Sequence, residues 1–313
     1  MQKLAILSLL LCLLSSCRQA EEPFSEEELA KQDSLALHIA VFPTMETLPL
    51  YYAERSGMLK EADADIRLAH YESMTDCDSA LVGGTVQASF TDVARIITMQ
   101  YEDSTYIQAV ASTPSRLGLY APKGKDKKKE IKRIQQLKER LVGMERHSRS
   151  DYWSDHILDG TDLDKLEIFR IQIGSTPLRY KMLNEGLLDA AFLPEPYALT
   201  MQDSAISHTI WTQPDSLTSW TVLAIPAEQA KDSLRASQVK ALLDIYEKAR
   251  RRIIAHPDTA LLHRIYREDF LIPERNLKRA HWYEWKIAPL DSQFVKAQQE
   301  AQQWLNNERN RFK

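Results

Sequence analysis

Cysteine is almost missing from this chain of 313 residues: Cys12, Cys17 and Cys77 are all it has. Cys12 lies in an apolar stretch that reads as a cleaved export signal and Cys17 sits at its edge, so Cys77 alone falls in the part that folds. A single thiol excludes an internal disulfide and zinc centres built from several cysteines. Cys77 itself reads as a small buried residue on a helix. Long apolar runs are missing as well: beyond Leu14 nothing approaches the roughly twenty residues that cross a bilayer. Signatures of catalysis are missing too, with no Gly-x-Ser-x-Gly, His-Glu-x-x-His or P-loop pattern, so no catalytic residue, metal or cofactor is expected. Neither sign of charge dominates. Lys and Arg number 40 against 44 Asp and Glu, a formal charge of −4, and nothing in that balance points to nucleic acid. The one basic run, Lys123 to Arg133, reads as a solvated loop leading into a helix or else as a docking face.

What is present begins with Lys3 and an apolar stretch from Leu4 to Leu14, interrupted only by Ser8 and ending Leu14-Ser15-Ser16-Cys17. This resembles the lipobox of bacterial lipoproteins. The resemblance implies a signal over 1–16, a lipid on the Cys17 thiol, and a protein held in the cell envelope by acyl chains and facing the periplasm. Residues 17–36 read as an acidic tether: Glu21, Glu22, Glu26, Glu27 and Glu28 crowd it, and too few apolar side chains are there to offset its ordering entropy.

The folding part carries a repeat. Ala80-Leu-Val-Gly-Gly-Thr-Val-Gln-Ala-Ser-Phe90 and Met182-Leu-Asn-Glu-Gly-Leu-Leu-Asp-Ala-Ala-Phe192, 102 residues apart, share Leu, Gly, Ala and Phe at the same offsets. Each reads as a helix end, a glycine that closes it in the left-handed region, and a short buried strand. Around them strands are expected at 35–42, 66–71, 86–90, 106–111, 117–121, 141–144, 167–171, 189–193 and 220–225, with helices between most of them. Ser73 or Asp76, Thr91-Asp92, and Ser175 or Thr176 supply helix starts. That alternation predicts parallel sheets with right-handed crossovers. The strands at 117–121 and 220–225 are read as crossovers between two similar α/β lobes, lobe I at 37–118 and 223–313 and lobe II at 119–222, with a helical tail from Pro226 onward. Two unrelated helix–strand joints in one α/β domain would give the same repeat.

Three segments carry a family resemblance: Leu48-Pro-Leu-Tyr-Tyr-Ala-Glu-Arg-Ser-Gly-Met-Leu59, Ala80-Leu-Val-Gly-Gly-Thr-Val-Gln-Ala88, and Leu187-Leu-Asp-Ala-Ala-Phe-Leu-Pro-Glu-Pro-Tyr197. Together they resemble the solute-binding proteins of ABC importers, in the nitrate, sulfonate, taurine and thiamine-precursor group, over about residues 37–290. The resemblance implies two Rossmann-like lobes joined by two crossover strands, the type II periplasmic-binding fold. It also implies a monomer that captures a small polar molecule between the lobes and delivers it to an ABC permease. A ligand-sensing lipoprotein without transport is the alternative, and a thiamine-pyrimidine synthase-like enzyme a more distant one, since the cysteine-rich motif of those enzymes is missing. Gln87 departs from the pattern by standing where the group usually has aspartate.

In open α/β sheets ligands bind beyond the carboxyl ends of the strands. The residues placed there are Thr44, Met45 and Glu46; Ser89, Thr91 and Asp92; Arg146, His147, Ser148 and Ser150; and Glu195 and Tyr197. Hydroxyls and helix N-termini favour an anion, with Arg146 or His147 to neutralise it. Glu46, Asp92 and Glu195 favour a ligand with N–H donors, and Tyr197, Trp153 or Trp220 could stack on a ring. Sulfonate, nitrate, a taurine-like zwitterion and an aminopyrimidine all stay open. Asp92 and Ser150 could equally be helix caps alone, and His147 a surface residue.

Overall fold

The computed structural model describes residues 33–102, 106–124, 130–202, 206–214, 220–273 and 286–310, with the single positions 25 and 31. The expected signal, Cys17 and most of the tether lie outside the described residues, as do positions 125–129 of the basic run. The chain divides into two compact units, 1–36 and 37–313. In the first, residues 33–35 are helical.

The second unit runs β1 (Leu37–Val41), α1 (Leu48–Arg55), β2 (Ile66–His70), α2 (Met74–Val82), β3 (Ala88–Asp92), α3 (Val93–Glu102), β4 (Ile107–Thr113) and β5 (Leu117–Pro122). It continues with β6 (Leu141–Met144), α4 (Arg149–His156), β7 (Phe169–Gln172), α5 (Thr176–Asn184), β8 (Ala190–Pro194), α6 (Tyr197–Met201), β9 (Ser207–Thr212) and β10 (Thr221–Pro226). Four helices end it: α7 (Ala227–Ala230), α8 (Ser233–Ala255), α9 (Thr259–Glu268) and α10 (Ser292–Asn310). Local chemistry accounts for many of these bounds. Pro49 sits in the first turn of α1, where its missing N–H costs nothing. Ser73 caps α2 by accepting from Asp76 N–H at 3.1 Å, so of the two expected caps serine is the one used. Gly84 and Gly186 both take φ +73°, the left-handed turn that their place after a helix requires.

The strands form two five-stranded sheets, ordered β2-β1-β3-β10-β4 and β7-β6-β8-β5-β9. In each, the first three positions hold parallel strands: β1 pairs with β2 and β3, and β6 with β7 and β8. The fourth position holds an antiparallel strand, β10 in the first sheet and β5 in the second. The fully parallel sheets expected from the alternation are therefore corrected to mixed ones, because β5 and β10 enter from the opposite direction. The edge strand β9 was not expected at all. The two sheets share one topology, differing only in that β5 precedes its sheet-mates in the chain and β10 follows them. The repeated units occupy equivalent places as α2–β3 and α5–β8, and their shared residues Leu81, Ala88 and Phe90, and Leu183, Ala190 and Phe192, are all buried.

Both sheets are covered by helices whose apolar faces join one core. α8 packs on α1 and α10 on α3. From there α10 reaches α4 beside the second sheet: the Trp304 indole donates to Asp155 Oδ2 at 2.9 Å. Two departures matter for the site. α4 begins at Arg149, two residues before the expected start, with Ser148 as its cap. Tyr197 opens α6 rather than lying in a loop.

Candidate functional site

The carboxyl ends of β1 and β3 meet those of β6 and β8 along a seam between the two sheets, and each half builds a tight turn there. After β1, the Thr47 hydroxyl donates to Phe42 O at 2.6 Å and folds the chain back. After β6, Ser148 and Ser150 both donate to Glu145 O, at 2.7 and 2.9 Å, and Glu145 N–H donates to Ser150 Oγ at 3.0 Å. Two hydroxyls thus satisfy a turn that would otherwise bury bare backbone groups.

The seam is stitched by polar contacts. Met45 N–H donates to Glu195 O at 2.9 Å. Arg149 N–H donates to Asp92 Oδ2 at 2.9 Å, while Asp92 Oδ1 accepts from Arg95 N–H at 3.0 Å. Asp92 therefore caps α3 and reaches the first turn of α4 at once. Thr75, at the start of α2, donates to Glu145 Oε1 from its hydroxyl at 2.9 Å and its N–H at 3.2 Å. Gly174 allows this approach, for a Cβ built on it would stand 3.1 Å from the Cβ of Ser73.

Enclosed in the seam is a cavity of about 20 Å³. Its polar lining is Thr44, Glu145, Ser148, Ser150, Thr176 and the side chains of Arg149 and Arg179; Phe42, Met74, Leu117 and Pro194 supply the apolar wall. One water occupies roughly 10–15 Å³ on this measure, so the cavity suits little more than one water unless the halves part.

Two guanidinium groups dominate its electrostatics. Arg179 is 3 % exposed. It donates to Phe192 O at 2.8 Å, to Ile173 O, and to Thr176 Oγ1 at 3.3 Å, all neutral acceptors. Desolvation lowers its pKa to about 10 from the ordinary 12.5. Its aliphatic stem crosses Gly143, where a Cβ would lie 3.2 Å from Arg179 Cγ. Arg149 meets Glu46 Oε1 at 3.6 Å and Thr221 Oγ1 at 3.4 Å, both long contacts. Neither Glu46 oxygen accepts a hydrogen bond, and burial pushes its carboxyl up. Burial likewise raises Glu145 to about 7 and Asp78, paired with Arg95 at 2.6 Å, to about 6.

A family model described as NMT1/THI5 like matches residues 44–260. The chain belongs to the NMT1/THI5-like family. Its solved structural neighbours include the periplasmic aliphatic sulphonate binding protein SsuA of Escherichia coli, with 16 % identity, a TM-score of 0.68, and coverage of 87 % of this chain and 92 % of that one. The alkanesulfonate-binding SsuA of Xanthomonas axonopodis pv. citri, bound to MOPS, gives 14 %, 0.71, 88 % and 93 %. The periplasmic nitrate-binding NrtA of Synechocystis PCC 6803 gives 13 %, 0.63, 83 % and 74 %. No curated protein matches this chain in sequence. At such identities the likeness is one of fold, that of periplasmic binding proteins with a helical C-terminal segment.

Set in this NMT1/THI5-like frame, the expected residues divide clearly. Thr44, Ser148 and Ser150 line the cavity. Glu46 and Asp92 stand behind it, each holding Arg149. Met45 and Glu195 are buried and joined by backbone. Ser89 donates to Phe90 O, and Thr91 is fully buried beside it. Arg146 and His147 are not brought to the cavity: Arg146 pairs with Asp151 at 3.3 Å on the outer face, and His147 is exposed, at φ +56°. The Tyr197 hydroxyl donates to Phe270 O at 2.7 Å, and its ring packs on Tyr180. Trp153 and Trp220 pack on Tyr152, so none of the three aromatics offers a face to the cavity. Arg149, Arg179, Glu145 and Thr176 were missed. Gly143 was the available sign for Arg179, since a glycine inside a strand marks a close approach. Gln87, where the resemblance led to an expected aspartate, does for β1 what Asp189 does for β6: its amide oxygen accepts from His38 N–H at 3.0 Å, as Asp189 accepts from Leu141 N–H at 2.9 Å.

Proposed function

We propose that this chain is a lipid-anchored solute-binding protein that captures a small anion between two lobes, 37–118 with 223–313 and 119–222, and delivers it to an ABC importer. One observation carries the choice of an anion. Arg179 is a buried cation with no carboxylate at ion-pair distance among the described residues; Glu145 acts on its charge only from farther off, and buried charges are ordinarily paired at contact. The acid group of a ligand supplies a partner at contact, with Arg149 and the Thr44 hydroxyl as further donors, while Ser148 and Ser150 hold the turn that frames it. A ligand that also bears an amine would meet Glu145, the carboxylate of the lining. Because the cavity is small, entry requires the lobes to part, and a ligand touching both favours the closed form by its differential affinity.

Thermal-shift screening with nitrate, methanesulfonate, taurine and an aminopyrimidine tests this. A ligand at a hundredfold its Kd should add about 2.7 kcal/mol of stability. No shift with nitrate, methanesulfonate or taurine would refute the anion site, whatever the aminopyrimidine does. The anchor is tested separately: Cys17→Ser should release the protein from the membrane fraction.

A further inference from the structure

Glu145 is a carboxylate inside a cavity whose other charges are cations. It is 4 % exposed, lines the cavity beside Arg149 and Arg179, and holds the seam through Thr75. Arg179 from α5 and Arg95 from α3 favour its ionised form, and Asp78 from α2 opposes it. The buried thiol of Cys77, also on α2, lies close enough to feel its charge. Most of these cations are already engaged. Arg95 is paired with Asp78 at 2.6 Å, and Arg149, on α4, faces Glu46. Arg179 is the cation left to balance Glu145, and it is the same group that would hold an incoming anion. A second negative charge in so small a space takes that cation's field away from Glu145 and adds like-charge repulsion. Both effects favour protonation.

We propose that the cleft takes up its anion together with one proton, and that Glu145 is the group that accepts it. This rests on reading the cavity as an anion site. The protonated carboxyl then offers an O–H to an anion that has no donor of its own, such as nitrate or a sulfonate. A ligand presenting an ammonium group to Glu145 would leave the carboxylate ionised and take up no proton, so the proton count also reports the ligand class.

The test is calorimetry of the full chain with nitrate and methanesulfonate between pH 5.5 and 8.5, repeated at pH 8 in two buffers of different ionisation enthalpy. Expected are a Kd that rises up to tenfold per pH unit above about 7.5 and an uptake approaching one proton at pH 8. Glu145→Gln should abolish that rise and bind more tightly than the parent at pH 8. The titration of Asp78, about one unit lower, leaves any residual slope near pH 6. Thr75→Ala removes the hydroxyl donor to the ionised form, leaving the backbone N–H, and should move the onset of the rise to higher pH, a check that survives if Glu145→Gln does not fold. Binding with a flat pH profile, zero proton uptake, or an unchanged slope in Glu145→Gln overturns proton uptake alone. No binding of either probe at any pH overturns the anion site as well.

Discussion

Replacing Arg179 by methionine separates ligand recognition from stability. At neutral pH the guanidinium is charged in both folded and unfolded chains, and its fall from 12.5 to about 10 means that carrying the charge in the core costs on the order of 3 kcal/mol. Methionine fills similar length without that cost. Against this gain stands the loss of donors to Phe192 O, Ile173 O and Thr176 Oγ1. Leaving such acceptors unmet costs roughly 1–3 kcal/mol each, less where water or a neighbour steps in. With water or neighbours meeting the freed acceptors, the three cost about 3 kcal/mol, the low end of that range, and offset the gain; the melting temperature of Arg179→Met should then stay within about 5 °C of the parent, at roughly 2–4 °C per kcal/mol. Affinity behaves differently. Removing one partner of a buried charged contact costs about 2–5 kcal/mol, or roughly thirtyfold to several thousandfold in Kd. Paired melting curves and calorimetry, with whichever probe the parent binds, measure both. An unchanged Kd would refute the placement of the anion on Arg179. A collapse in stability with full affinity in the remaining folded fraction would make the residue structural only.

Other consequences are equally direct. Glu145 has a raised carboxyl, so the folded chain holds a proton between about pH 4.5 and 7 that the unfolded chain has lost; stability should fall by roughly 3 kcal/mol across that window as pH rises, and Glu145→Gln should melt higher than the parent at pH 8 but not at pH 4.5. Gly174→Val should leave each sheet intact yet wedge the seam at Ser73, weakening ligand affinity and enlarging the ligand-bound radius of gyration in solution scattering. Gly84→Ala and Gly186→Ala should each cost about 1–2 kcal/mol in urea melts, by the same mechanism, because each stands at φ +73° with open space where a Cβ would go. Trp304→Phe, which removes the indole donor to Asp155, should cost about 1–2 kcal/mol in the same melts.

Much of this architecture could be read from residue spacing. The strand around Ile39, the proline-led start of α1 and the glycine-closed units ending in Phe90 and Phe192 all obey local rules, and local rules are what a sequence exposes. Strand direction is not local. β10 takes its orientation from β3 and β4, more than a hundred residues upstream, which is why parallel sheets were expected where mixed ones form. The site was legible in part for the same reason. Thr44, Ser148 and Ser150 follow from the rule that ligands sit beyond strand ends. Arg149 and Arg179 lie in first helical turns, where an arginine reads as a solvent-facing charge until the opposite half covers it. Arg146 and His147 carry the obvious charges of their loop, but the left-handed backbone at His147 turns that stretch outward.

The place of β10 has a consequence for the order in which the molecule can be made. Every strand of the second sheet lies between residues 117 and 212, whereas the first sheet waits for residues 221–226 to wedge between β3 and β4. A nascent chain that has just cleared its exit channel up to Gln213 therefore owns one finished sheet and one with its fourth strand unattached. The part translated first is completed last: the early half stays unfinished until residue 226 has been made, and a truncation ahead of β10 is an injury to the amino-terminal half.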